Sequence, residues 1–139
     1  MGTHREKRNS CKTNILKIDK DCFVDPALQT EYIHAILQVC AKYGIKILWV
    51  KSTRSRHGIH FYVKISRALP AHKANRLQYL LGDDAKRVEF NRSRIESGLV
   101  EWNKLFERSD AKLTTVYRSY SLRYAGSEVE IQSFRTLSR

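Results

Sequence analysis

Acidic residues are missing from the whole stretch between Glu31 and Asp83. Nothing inside that stretch can pair locally with Lys42, Lys46, Lys51, Arg54, Arg56, Lys64, Arg67, Lys73 and Arg76, and four of the five histidines fall there too. Such a segment carries a positive field that attracts polyanions. Nucleic acid is the leading partner class, an anionic membrane surface the second, and a plain solvated basic surface the bland alternative. Long hydrophobic runs are also lacking. No apolar run approaches the roughly 18 residues of a membrane span, and the polar N-terminus has no apolar signal core, which implies an intracellular chain; with nucleic acid leading, no membrane partner is expected. Cysteine is scarce and badly spaced for chemistry: Cys11, Cys22 and Cys40 stand 11 and 18 residues apart, with no CxxC pair. That spacing excludes a zinc knuckle and a disulfide framework, and leaves reduced thiols, Cys40 packed within a helix.

What is present is a 139-residue chain with 26 Lys and Arg against 14 Asp and Glu, a net charge of +12, and 42% apolar residues. A single domain of this length buries roughly 70% of its unfolded surface and needs no staples. Residues 1–13 are basic and aperiodic, a flexible arm preceding one domain over 14–139. Asn14–Asp19 alternates as a first strand. Asp25 and Pro26 signal a helix start, apolar residues recur at helical spacing to Tyr43, and Gly44 closes it. Ile45–Thr53 and the run from Ile59 to Ile65 form a hairpin around the basic segment Arg54–Gly58. Pro70 ends that strand, a second helix runs to Gly82, residues 83–98 read as mostly helical, and "LVEWNKLFER" reads as a short amphipathic helix or turn. One or two closing strands follow from Lys112. The expected fold is α+β: an RRM-like or ferredoxin-like βαββαβ antiparallel sheet, helices on one face, with extra helical material before the last strand.

Strand parity then sorts side chains between the two faces. Leu16, Ile18, Leu48, Val50, Ile59, Phe61, Val63 and Ile65 turn toward the helices. Lys17, Asp19, Trp49, Lys51, His60, Tyr62 and Lys64 turn to the open face, where two aromatics among cations make a stacking platform for bases. The alternative is that Trp49 is core. Asp19 and Asp21 leave the first strand on one side, and two carboxylates with spare oxygens suit Mg²⁺ or Mn²⁺, with phosphates completing the shell. The alternative there is a polar strand end entering a turn. If the first and third strands are neighbours, His60 lies close to the pair. Arg54, Arg56, His57 and Arg67 join the basic set. Arg87 and Arg94 share a helix face with Asn91 and Arg92 nearby, suited either to phosphates or to a solvated face paired with Glu89, Glu96 and Asp83.

"KIDKD" (Asp19, Asp21) and "SRHGIHFYV" (Ser55, Gly58, His60) resemble the hDhD and Ser-x-x-Gly-x-His-like motifs of the archaeo-eukaryotic primase superfamily, whose core is RRM-like. The resemblance spans roughly residues 14–95. It implies that Asp19 and Asp21 bind the catalytic divalent metals, Mg²⁺ or Mn²⁺, and that His60 contacts the phosphates of an incoming nucleotide. A replication protein of the cytoplasm or nucleoid, carried by a virus or plasmid, fits the same resemblance. Lys20 departs from the motif, which has an apolar residue there. No later apolar–Asp pair is obvious, which leaves Glu128 and Glu130 as substitutes. The expected activity is therefore nucleic-acid binding, DNA or RNA, with or without nucleotidyl transfer. A non-catalytic RRM-like binder of single strands is the alternative. A rolling-circle nickase using Tyr117 or Tyr120 is less favoured, because His57 and His60 are three apart and would leave a strand on opposite faces.

Overall fold

The computed structural model describes residues 11–21, 25–54, 58–105 and 115–138. Its elements are β1 (Lys12–Lys20), α1 (Pro26–Lys42), β2 (Ile47–Arg54), β3 (Ile59–Pro70), α2 (Ala71–Leu80), α3 (Ala85–Glu96), β4 (Thr115–Ala125) and β5 (Glu128–Ser138). The strands form one antiparallel sheet in the order β1-β3-β2-β4-β5. The fold is α+β, with helices packed on one face of the sheet, in keeping with an RRM-like plan. It departs from the expected βαββαβ in two respects. Of the one or two closing strands expected, two form and pair as a hairpin beyond the four-strand plan, and β4 docks beside β2. Lys12 and Thr13, expected in the arm, open β1; residues 1–10 lie outside the described residues.

Local sequence accounts for most of these elements. Asp25 caps α1, its carboxylate accepting from the Leu28 N–H at 2.9 Å, and Pro26 stands in the first turn, where no N–H is needed. Gly44, at φ 67°, supplies the left-handed residue that ends the helix. On β3, Ile59, Phe61, Val63 and Ile65 are all buried. They meet Leu16 and Ile18 of β1, Ile33, Ile36 and Cys40 of α1, and Ala74 and Leu77 of α2 in one core. Trp102, at 3% exposed, plugs this core from an irregular segment just after a turn at 100–101, so of the two readings of "LVEWNKLFER" the turn holds over the described residues. Parity fails at Leu48. A register shift between Ile47 and Trp49 puts an extra residue into β2, so Ile47 and Val50 are buried while Leu48 turns out at 45% exposure.

With β4 placed elsewhere, β1 is an edge strand whose outer backbone groups need partners. Side chains from the α2–α3 region supply them. Gln78 Oε1 accepts from Lys17 N at 3.0 Å, Arg87 Nη1 donates to Lys17 O at 3.0 Å, and Asp83 Oδ1 accepts from Asp19 N at 2.9 Å. Asn103 holds both Gln78 and Arg87. A row of polar side chains thus replaces the missing strand and blocks edge pairing. Among the described residues, no helix is long and apolar enough to cross a membrane.

Candidate functional site at the acidic end of the open sheet face

Antiparallel register lines up the open-face residues in rows across the strands. One row reads Lys17, Tyr62, Lys51, Ser119 and Phe134. The next, about 7 Å along the strands, reads Lys64, Trp49, Ser121 and Gln132. Trp49, Tyr62 and Lys64 are half-buried, Lys51 is exposed, and Phe134 is 52% exposed. Lys51 Nζ lies 4.9 Å from the Trp49 ring centroid, so a cation already covers one part of that ring. Phe134 was not foreseen; it needed the β4–β5 register, which no local pattern fixes.

On the other side of the Lys17 row lies the row Asp19, His60 and Thr53, with Asp19 and His60 directly opposed. His60 Nε2 is 3.4 Å from Asp19 Oδ1. Despite its outward parity, His60 is only 4% exposed. Two residues earlier, Gly58 brings its own backbone against the end of β1. A Cβ at Gly58 would fall inside the Lys20 carbonyl oxygen. Lys20 itself turns toward Tyr32, its Nζ 5.0 Å from the ring centroid and its ammonium end against Gly82.

Carboxylate oxygens of Asp19, Asp21 and Asp84 lie within 4.8 Å of one another. Asp84 is the N-cap of α3, accepting from Lys86 N at 2.8 Å. Burial raises the Asp19 carboxyl above its ordinary range; His60 and Arg87 pull it back, while Asp21 and Asp83 push it further up. A hard cation would relieve that accumulation, and three carboxylates with no thiol among them form an oxygen set suited to Mg²⁺ or Mn²⁺. Beneath the cluster, one oxygen of the buried Asp83 accepts from both Asp19 N and Asp84 N at 2.9 Å, tying β1 to the α3 start. Its other oxygen takes the Arg87 guanidinium. Burial pushes the Asp83 carboxyl up, opposed by Arg87 and these two backbone N–H groups.

The other expected site residues scatter. Arg87, expected on an outward helix face, is 9% exposed and engaged with Lys17 O, Asp83 and Asn103. Its role is structural, because Asp83 one turn earlier draws the guanidinium inward. Arg92 is exposed beside Glu89, and Arg94 bonds Asn91. Arg67 donates to Tyr43 O near the end of α1, and Arg54 lies on the helix side of β2 by register. Ser55, Arg56 and His57 lie outside the described residues. Glu128 and Glu130 sit on β5, at the sheet edge opposite β1, so they do not join the aspartates. Asp84 does instead, unrecognised in "GDD" because its spacing from Asp21 carries no motif. Tyr120 is buried, its hydroxyl donating to Gln29 Oε1, and is not available as a nucleophile on the open face. No protein-family model, no curated protein and no solved structure matches the chain.

Proposed function

We propose that the protein is a nucleic-acid-binding, primase-like replication protein that performs divalent-metal-dependent nucleotidyl transfer at Asp19, Asp21 and Asp84. The observation that carries this reading is the alignment of a basic, aromatic sheet face with a three-carboxylate end. Lys17, Lys51 and Lys64 neutralise backbone phosphates, while Trp49, Tyr62 and Phe134 offer stacking surfaces worth about 1–3 kcal/mol per base. Asp19, Asp21 and Asp84 would hold Mg²⁺ or Mn²⁺, which when bound supplies charge neutralisation at the reacting phosphate. His60, buried with its Nε2 3.4 Å from Asp19 Oδ1, would orient that carboxylate. An intracellular setting, and carriage by a virus or plasmid, belong to the same reading.

The test is Mn²⁺-dependent primer synthesis or extension. Asp19→Ala should abolish it and leave DNA binding nearly intact, and full activity in that variant refutes the assignment. Binding should weaken with salt at a log–log slope of about −3 to −5, as for about four to six neutralised phosphates. Salt-dependent binding that ignores metal, with no synthesis by the wild type, would reduce the site to a non-catalytic binding surface.

A further inference from the structure

Behind the sheet lies a pocket of about 500 Å³ whose lining includes Asp25, Gln29, Ser52, Arg54, Arg118 and Arg135. Register explains why three arginines meet there. Arg118 of β4 faces Arg135 of β5 directly, and on its other side faces Ser52 of β2. Arg54 follows Ser52 by two residues and so shares its side of β2. All three therefore lie on the helix side of the sheet, opposite the row of Lys17, Tyr62 and Lys51.

Like charges set directly across a strand pair are unfavourable unless something lies between them. Asp25, whose Oδ1 accepts from the Leu28 N–H as the cap of α1, is the one acid among the described residues of this lining, a single carboxylate set against three guanidinium groups. Ser52 and Gln29 of the lining add no countercharge: Ser52 Oγ and the neighbouring Tyr120 OH both donate to Gln29 Oε1, at 2.9 and 2.6 Å. The positive end of the 17-residue α1 at the rim adds to the same field. Guanidinium groups match phosphate oxygens in pairs, and the volume exceeds what a bare anion needs. We infer that this pocket binds the phosphate of a nucleotide or of a nucleic-acid strand, at a site separate from the carboxylate cluster. The inference goes beyond the proposed activity and does not depend on a metal at Asp19.

Isothermal titration of the full chain in EDTA, with dATP, inorganic phosphate and a single-stranded 20-mer as probes, tests it. Wild type and Asp19→Asn should bind dATP equally, and Arg118→Gln/Arg135→Gln should bind it at least about tenfold more weakly. A matching loss for the 20-mer alone assigns the phosphate to a strand, provided that the equal-charge variant Lys42→Gln/Lys104→Gln, exposed and away from the pocket, lacks it. Inorganic phosphate should raise the melting temperature of wild type and not that of the double arginine variant. Wild-type affinity for dATP and the 20-mer in the double variant, or equal stabilisation of both proteins by phosphate, overturns the inference.

Discussion

Asp83→Asn is the substitution that most directly probes how β1 and α3 are held together. The Asp83 side chain is fully buried and that of Arg87 is 9% exposed, and the two form an ion pair with further bonds to Asp19 N, Asp84 N, Lys17 O and Asn103. Asparagine keeps one oxygen for the two backbone N–H groups. Its amide nitrogen then faces the guanidinium, donor against donor, and the Arg87 charge is left uncompensated. Removing one member of a buried pair costs about 3–5 kcal/mol, against a total stability of about 5–15 kcal/mol for a domain. At roughly 3–5 °C per kcal/mol, the melting temperature should fall by about 10–20 °C. Urea unfolding of Asp83→Asn, Arg87→Met and the double variant closes a cycle. The double variant should lose less than the sum of the singles, by about 1 kcal/mol or more. A cost below about 1 kcal/mol for Asp83→Asn, or strict additivity, would refute the buried-pair argument.

Gly58→Ala places a methyl against the Lys20 backbone, which cannot swing aside, so the urea midpoint should drop by the equivalent of about 1–3 kcal/mol; an unchanged midpoint would contradict the close approach. Burial pushes the Cys40 thiol up to about 11. At pH 8 only about one molecule in a thousand then carries the thiolate, so iodoacetamide should spare Cys40 in the folded protein and modify it in urea, as read by mass spectrometry. Trp49→Ala should weaken binding of a single-stranded oligonucleotide about tenfold in fluorescence anisotropy, and wild-type affinity would remove Trp49 from the stacking surface.

Period-two alternation in "IHFYVKI" and "ILKID" was enough to orient β1 and β3 and to expect Asp19 beside His60. Antiparallel pairing of those strands makes them direct partners. Asp25 and Pro26 likewise marked the start of α1, because capping is a local interaction. The features that stayed hidden depend on distant contacts. β4 docks on β2 and leaves β1 at an edge, which is why Gln78, Asp83 and Arg87 turn inward to serve its backbone. Arg87 reads in sequence as an outward helix charge, since an i, i+4 pair with Asp83 is ordinarily a surface feature. Asp84, part of a stretch that reads as mostly helical, caps α3, and the packing of α3 beside β1 also brings its carboxylate to Asp19 and Asp21. The bulge at Leu48 left no mark in the alternation of β2.

Manganese binding followed by electron paramagnetic resonance addresses the carboxylate site without relying on any substrate. Asp84→Asn suits the comparison, because asparagine caps a helix as well as aspartate and should leave α3 intact while removing an anionic ligand. Wild type should take up Mn²⁺, and Asp19→Asn and Asp84→Asn should each weaken uptake at least about tenfold while circular dichroism stays unchanged. Free Mn²⁺ signal undiminished by wild type, or equal uptake by all three proteins, would contradict a metal site at Asp19, Asp21 and Asp84.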